Sequence, residues 1–222
     1  MDTEIIDKLD AFFSQFKHQT YKKGEILVRA DENPSGILYL KNGVVKKYAI
    51  SRKGEELIVN LFKPISFFPM SWAINDSQNK FFYEAMTTVE LWKAPKEQVI
   101  EFIKKEPEIL YDLISRVYKG TDGMLMRMVY LMSGSAYNRL ITEVLIFAKR
   151  FGVEDVSTGT ISCKTTEKDL ASQAGMTRET VSREIKNLKD KHLIKLSGGK
   201  LIIPNIIKLE EELSEDFNAL SS

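Results

Sequence analysis

The sequence has little of the chemistry on which disulfides, metal clusters and haem centres depend. Its only cysteine, Cys163, excludes an intrachain disulfide and falls short of the thiolate set that an iron–sulfur cluster needs. The only candidate haem ligands are His18 and His192, and we assign both to surface or helix-terminal positions. Cys163 is accordingly expected to have a structural role.

Long apolar runs are also missing. No segment approaches the roughly 18 apolar residues of a membrane-spanning helix, and the N-terminal MDTEIIDKLDAFF is acidic where a signal peptide is basic. These patterns predict a cytoplasmic protein with no membrane partner. The chain also lacks a nucleophile–base–acid set, a metal-ligand spacing and a phosphate-binding glycine loop. It is therefore predicted not to be an enzyme and to hold no metal or cofactor.

The net charge of +1 conceals an uneven distribution of charge along the 222 residues. Residues 164–208 contain ten Lys and Arg against five Asp and Glu, a net +5, whereas residues 209–222 contain five acids and no base. A hydrophobic content of 43% allows two modest cores. The sequence therefore predicts two domains, one of which has a basic segment.

The basic segment contains a helix with two contrasting faces. Val181, Ile185 and Leu188 recur at helical spacing and predict one buried face. At about 100° per residue, a polar arc falls on the opposite side. Its members are Arg178, Glu179, Ser182, Arg183, Lys186 and Lys189.

Turn and cap residues place this helix second in a pair. Thr166 followed by Asp169 predicts the capped start of a first helix, and Gly175 supplies the left-handed residue that ends it. Thr177 then caps the second helix. Two short helices joined by a tight turn are typical of the helix-turn-helix, whose second helix enters the DNA major groove.

The side chains on the polar arc suit that use. Arginine can donate two hydrogen bonds to guanine, glutamate can accept one from the cytosine amino group, and serine adds a short contact. Lysines suit phosphates. The following LIKLSGGKLIIP has two apolar runs around a Gly-Gly turn, which predicts a β-hairpin wing.

The segment DLASQAGMTRETVSREIKNLKDKHLI resembles the DNA-binding signature of the cyclic-AMP receptor protein and fumarate-nitrate regulator superfamily, abbreviated CRP/FNR. The resemblance places Arg178, Glu179 and Arg183 at the family's base-reading positions, and Ser182 matches the FNR-like branch. We assign four residues to phosphate contact: Thr177, Lys186, Lys189 and Lys200.

Residues 20–95 have a different character. Short β-rich runs such as EILVRA and EELIVNLF are punctuated by glycines and predict an antiparallel β-roll. The order Y-x-K-G-E-x-L then G-x-L-Y-L-x-x-G-V-V resembles the family's N-terminal sensor barrel. The resemblance therefore implies an α+β fold in three parts. These are a cyclic-nucleotide-binding-like β-roll sensor over residues 1–105, a dimerisation helix and hinge over 106–133, and a winged helix-turn-helix over 134–222.

The sensor departs from the family pattern where a cyclic phosphate would bind. Cyclic-nucleotide binders of this type use a Gly-Glu turn and an Arg-Ser pair, whereas this chain has Phe67-Phe68-Pro69 and Asn79-Lys80 in the corresponding region. Cyclic nucleotide is therefore not the expected effector. Aromatic residues nearby either line an apolar effector pocket or form plain core. The candidate pocket residues are Phe67, Phe68, Trp72, Lys80 and Phe82.

Between sensor and DNA-binding segment, apolar residues recur at spacings of three and four, as in a heptad seam. The predicted dimer-interface residues are Leu110, Leu113, Val117, Met124, Met128 and Leu131. Such a helix either pairs with a second copy or packs inside its own domain, and the family resemblance implies a homodimer. Because Gly120 and Gly123 weaken the helix, we hypothesise that the dimer helices shift register when the sensor is occupied. Ser133-Gly134 is predicted to be a hinge and Ser135 a helix cap.

Together with these patterns, the family resemblance implies a homodimeric transcription regulator that binds a palindrome with TGA-containing half-sites. Its partners would be double-stranded DNA, a second copy, RNA polymerase if it activates, and an unidentified small effector. Two alternatives stay open. The protein could act without an effector, or it could be a small-ligand sensor whose winged domain mediates assembly.

Overall fold

The structure is a computed structural model that describes residues 3–52 and 54–218, with the side chains of 126, 130–133 and 214–218 outside that description. The chain forms two compact units, Met1–Tyr118 and Lys119–Ser222. The predicted domain boundaries after residues 105 and 133 stay predictions. In the part of the chain that is described, no helix combines the length and apolarity needed to span a bilayer.

The first unit is rich in short strands, as the β-branched and aromatic runs predict. It contains helix α1 (Thr3–Phe13), strands β1 (Lys17–Tyr21), β2 (Ile26–Val28), β3 (Ile37–Asn42), β4 (Val45–Ile50), β5 (Glu56–Phe62) and β6 (Ser66–Phe68), helix α2 (Met70–Asn75), strands β7 (Phe82–Ala85) and β8 (Val89–Ala94), helix α3 (Lys96–Lys105), and the start of helix α4 (Pro107–Ser133).

These strands make two four-stranded antiparallel sheets, in the orders β1-β8-β3-β6 and β2-β7-β4-β5. One core, with Leu40, Phe68 and Tyr83, contains residues from both sheets. A second core packs helix residues against strand residues, with Phe13 on α1 and Phe67 on β6. The antiparallel β-roll predicted from the sequence is confirmed.

The second unit contains the rest of α4 and the compact helical domain that follows it. The elements of that domain are α5 (Ala136–Phe151), β9 (Val153–Asp155), β10 (Thr160–Lys164), α6 (Glu167–Ala174), α7 (Arg178–Asp190), β11 (Lys195–Ser197), β12 (Lys200–Ile203) and α8 (Ile206–Asn218). The four strands form one antiparallel sheet in the order β11-β12-β10-β9. Helices α6 and α7 with the β11–β12 hairpin are the predicted winged helix-turn-helix.

The core of this domain explains why α5 is its central helix. Helix α5 contacts α6, α7, α8 and β10, and Leu140, Ile141 and Val144 on it are fully buried. Its first turn is capped as predicted, because the Ser135 side chain accepts a hydrogen bond from the Asn138 amide at 3.2 Å. Cys163 lies on β10, buried, as a free thiol.

Candidate nucleic-acid interface

The turn between α6 and α7 is fixed by local side-chain chemistry. Thr166 accepts a hydrogen bond from the Asp169 amide at 3.2 Å, and Asp169 accepts one from the Thr166 amide at 3.2 Å, which completes a capping box. Gly175 ends α6 in the left-handed region, at φ 60° and ψ 41°. A side chain would be strained at that φ, so glycine suits the corner. Both predicted signals are confirmed.

Helix α7 presents one apolar and one polar face, as its periodicity predicts. The Thr177 side chain caps it by accepting a hydrogen bond from the Thr180 amide at 3.2 Å. Val181, Ile185 and Leu188 are buried against the domain core. The polar residues at the start of the helix are all exposed to solvent, and they are Arg178, Glu179, Ser182 and Arg183.

A buried carboxylate that the sequence analysis missed holds the Arg183 side chain. Glu184 is only 7% exposed although it is charged. Its two oxygens accept hydrogen bonds from Arg183 Nε at 2.9 Å and from Asn187 Nδ2 at 2.7 Å. The Arg183 guanidinium is thus anchored through Nε, and its terminal nitrogens have no protein partner among the described contacts. The sequence signal for this contact is that Glu184 follows Val181 by three residues, which places it next to the buried apolar face of α7.

Electrostatics favour the ionised form of Glu179. Its own backbone amide and the Thr177 hydroxyl hold the pKa of the Glu179 carboxyl below its usual range through hydrogen bonds. The nearby positive charge of Arg178 acts in the same direction. At neutral pH the carboxylate is therefore a pure hydrogen-bond acceptor, which is the form that can bind the cytosine amino group.

The hairpin wing lies beside the start of α7. Gly198 and Gly199 both have positive φ, 58° and 73°, as a type I′ turn requires. The wing turn, the start of α6 and Arg178 together line an open cleft of about 360 Å³. Lys200 is exposed at the base of the turn, paired across the sheet with Lys164. The wing turn and Arg178 of the polar arc therefore border one concave surface.

The remaining residues assigned to phosphate contact differ in exposure. Thr177 and Lys186 are exposed, whereas Lys189 is half-buried near the end of α7.

Helix α7 ends in a Schellman motif, in which Leu193 N donates to Leu188 O at 3.0 Å and His192 N donates to Lys189 O at 2.9 Å. His192 occupies the left-handed position, φ 58°, where glycine is the usual residue. It is an exposed helix-terminal residue.

The five candidate pocket residues of the first unit are distributed over different environments. Phe67 belongs to the core beneath the helices, against which Trp72 also packs, and Phe68 belongs to the core that contains both sheets. Phe82 stacks on Tyr48 with ring centroids 5.3 Å apart, and Lys80 is exposed. Phe67 and Phe68 thus serve two cores, and an effector site in this unit stays a prediction.

The Asn79 side chain has a structural role. It is 4% exposed, and its Nδ2 donates to the carbonyls of Arg29 and Phe81 at 2.8 Å each. Its Oδ1 accepts a hydrogen bond from the Phe81 amide at 3.3 Å. The position near the expected Arg-Ser pair is therefore occupied by an amide whose hydrogen bonds go to the backbone.

Helix α4 exposes an apolar stripe, which Thr121 interrupts between the parts that belong to the first and second units. Leu110, Val117, Met124 and Met128 are 37%, 59%, 49% and 55% exposed. Leu113 instead packs against the first unit's own core, and Ile114, 43% exposed, takes its place in the stripe. The Leu131 side chain lies outside the described residues. The helix runs unbroken through Gly120 and Gly123.

The part of the chain that the structure describes bears on two other kinds of site, a metal centre and a reactive thiol. Within residues 3–52 and 54–218, no group of three or more His, Cys, Asp or Glu side chains is arranged to hold a metal ion. Burial raises the pKa of the Cys163 thiol to about 11, which keeps it in the unreactive protonated form at neutral pH.

Two stretches match known domain families: residues 18–106 match the cyclic nucleotide-binding domain and residues 138–212 the Crp-like helix-turn-helix domain. The global nitrogen regulator of Nostoc sp. is 28% identical over 202 residues, covering 88% of this chain and 89% of that protein. The anaerobic regulatory protein of Haemophilus influenzae is 24% identical over 214 residues, covering 95% and 81%. A solved structure of a CRP/FNR-family transcriptional regulator from Thermus thermophilus has a TM-score of 0.72 at 23% identity, covering 89% and 98%.

Proposed function

Since the chain belongs to the CRP/FNR family of DNA-binding transcription regulators, we propose that it binds, as a homodimer, a palindromic site with TGA-containing half-sites. Its relatives are regulators of transcription and not enzymes, as predicted. The observation that carries the proposal is the capped helix α7, whose first turns present two arginines, a glutamate and a serine to solvent.

The proposed base contacts follow from the chemistry of each side chain. The Arg183 guanidinium, anchored through Nε, leaves its terminal nitrogens to donate to guanine O6 and N7, and ionised Glu179 accepts from cytosine N4. Together these contacts would read the single G·C pair of the TGA core, from its guanine and from its cytosine. Arg178 would extend recognition to a preceding guanine, and Ser182 favours a TTGA-like half-site.

Phosphate contacts would orient the domain without selecting sequence. Exposed Lys186 lies on α7 and exposed Lys200 lies on the wing, and Thr177 and Lys189 are the other proposed contacts. Lysine binds phosphate as a point charge, so these contacts predict salt-dependent affinity for any duplex. The +5 charge of residues 164–208 supports the same expectation.

The apolar stripe of α4 supports the proposed homodimer. Leu110, Ile114, Val117, Met124 and Met128 repeat at heptad spacing and are 37–59% exposed, and a second copy of the same helix is the surface that such a seam fits. Two-fold pairing would place two α7 helices to read half-sites about one DNA turn, roughly 34 Å, apart.

The effector, if the protein uses one, is an unidentified small molecule bound by the β-roll. The two relatives compared above are named for nitrogen regulation and for anaerobic regulation. Asn79 is committed to the backbone, which supports an effector other than a cyclic nucleotide, or regulation without any effector. RNA polymerase would be a further partner if the protein activates transcription.

The test is selection of bound sequences from random duplex DNA by the purified protein without added ligand. Enrichment of an inverted repeat with TGA-containing arms is expected, and it would mean that the dimer binds DNA without an effector. An Arg183→Ala variant that selected the same repeat would contradict the base-reading assignment. Selection of single, unpaired half-sites would contradict the homodimer.

A further inference from the structure

A buried carboxylate lies on the helix at the centre of the DNA-binding domain, away from the residues proposed to touch DNA. Glu143, in the middle of α5, is 5% exposed among apolar neighbours such as Leu140 and Val144. Burying a charge is costly unless the charge is paired. Burial raises the pKa of Glu143 to about 7, and two arginines oppose this rise. A carboxylate that is costly to keep in this place requires an explanation.

The first of the two arginines comes from the dimerisation helix. Arg127, on the part of α4 that belongs to the second unit, donates through Nη2 to Glu143 Oε2 at 2.6 Å. The Arg127 side chain is itself mostly buried, with 22% of it exposed. Arg127 lies between Met124 and Met128, two exposed residues of the apolar stripe. The ion pair therefore fixes α5 to the helix that carries the proposed dimer seam.

The second arginine reaches the corner of the helix-turn-helix. Arg139 lies one turn before Glu143 on α5, so the two side chains share a face. Its Nη2 donates to the carbonyls of Ala174 at 2.9 Å and Gly175 at 3.3 Å. These are the residues at which α6 ends and the chain turns toward α7. The positive charge of Arg139 also acts on Glu143 and favours its ionised form.

We propose that Glu143 is a positioning residue for DNA binding, which couples the dimerisation helix through Arg127 to the helix-turn-helix corner through Arg139. The proposal rests on the proposed function, because it concerns how α7 is presented to an operator. A change in the position of α4 would move Arg127, alter the charge that faces Arg139, and shift the corner that sets the angle of α7. Glu143 would thus affect operator affinity without contacting DNA.

A structural role alone predicts a different outcome from a positioning role. Removing one partner of a buried ion pair leaves the other charge uncompensated and lowers stability, so a structural role alone predicts a lower free energy of unfolding with the operator affinity of the folded protein unchanged. Glu143→Gln keeps the shape of the side chain and removes the charge. It also makes the domain more positive, which by itself would strengthen binding to any DNA. Weaker operator binding by this variant would therefore come from positioning.

The experiment measures operator affinity, its salt dependence and the free energy of unfolding for the full-length protein. The operator is the sequence selected by the wild-type protein, so failure to select any sequence counts against the proposed function and not against Glu143. The variants are Glu143→Gln, Arg127→Gln and the double variant. Glu210→Gln is the matched control, since Glu210 makes an exposed ion pair with Lys149 of the same α5 helix at 2.5 Å.

We expect each single variant to raise the Kd for the operator by about 3- to 30-fold, and the double variant to raise it no further than a single one. The slope of affinity against salt should stay unchanged, because no phosphate contact is lost, and Glu210→Gln should bind as the wild type does. Unchanged operator affinity in a folded Glu143→Gln protein would overturn the proposal. Multiplicative losses in the double variant would also overturn it, since the two residues would then act independently.

Discussion

The proposed dimer seam on α4 can be tested by replacing Met124 with glutamate. Met124 is 49% exposed in the single chain, and fully burying such a side chain stabilises by about 1.5–3 kcal/mol. Burial of the exposed half would therefore contribute about 1 kcal/mol per copy. A two-fold dimer contains the residue twice, so Met124→Glu should weaken dimerisation by about 2 kcal/mol, or roughly 30-fold in Kd. Desolvation of the glutamates makes this a lower bound.

Sedimentation equilibrium at several protein concentrations gives the dimer Kd directly. Methionine and glutamate have similar helix propensities, so the substitution should leave α4 folded. Lys119→Glu is the control, because Lys119 is exposed on the same helix and lies about 140° around the axis from Met124. The seam would be refuted if Met124→Glu left the dimer Kd unchanged, or if Lys119→Glu weakened it equally.

Four further predictions concern the DNA-binding domain. Arg183→Ala should lower the binding free energy for the selected operator by about 1–3 kcal/mol and reduce base preference, whereas Lys186→Ala should weaken binding to all sequences alike. Competition binding with mutated half-sites measures both effects, and equal sequence profiles for the two variants would contradict the assignment. His192→Gly should raise the free energy of unfolding by about 0.5–1 kcal/mol in urea titrations, because the left-handed φ of 58° strains histidine and not glycine; no gain would mean that the strain is absent. Cys163 should react with iodoacetamide at pH 8 at least about 100-fold more slowly in the folded protein than in denaturant, because its pKa is raised to about 11 by burial; comparable rates would show an accessible thiol. The folded-state pKa of Glu143, about 7 against 4.5 normally, means that the native protein binds the proton more tightly. The stabilisation that the protonated Glu143 side chain provides is therefore fully present below about pH 4.5. It is lost as the pH rises to about 7, which lowers the free energy of unfolding by at most about 3 kcal/mol. Parallel stability curves for wild type and Glu143→Gln across this range would contradict this shift.

The helix-turn-helix was predictable because the signals that fix it act within a few residues. Thr166 and Thr177 cap helices through amides three positions away, and Gly175 is required by a single φ angle. None of these needs a distant partner. The partner of Arg183 escaped prediction for a related reason: Glu184 is adjacent in sequence, but only the packed helix shows that it is buried and hydrogen-bonded.

The exposed apolar stripe on α4 was predictable in period but not in phase. Leu113 and Ile114 are adjacent and both apolar, so spacing alone could assign either to the seam. The choice depends on the first unit's core, against which Leu113 packs, and that core is built from residues far away in sequence. Ile114 is left exposed as a consequence.

Two residues of the candidate effector pocket show what strand geometry adds to the sequence pattern. Phe67 and Phe68 are consecutive residues of β6, and consecutive side chains of a strand point to opposite faces of the sheet. They therefore enter different cores. Recognising Ser66–Phe68 as a strand would have been enough to separate them, so this information was present in the sequence.

Glu143 illustrates why positioning residues are the hardest to foresee. In the sequence it interrupts an apolar helix face, where a stable core would favour leucine or alanine, and burial makes its charge costly. Its partners come from 16 residues upstream and, through Arg139, from the corner at Gly175. A buried charge that is costly to place in a core and yet joins two functional elements is best explained by the requirement for one defined arrangement of those elements. If the folded Glu143→Gln protein binds the operator more weakly than the wild type, an effect on DNA binding will have been separated from any loss of stability at a single side chain.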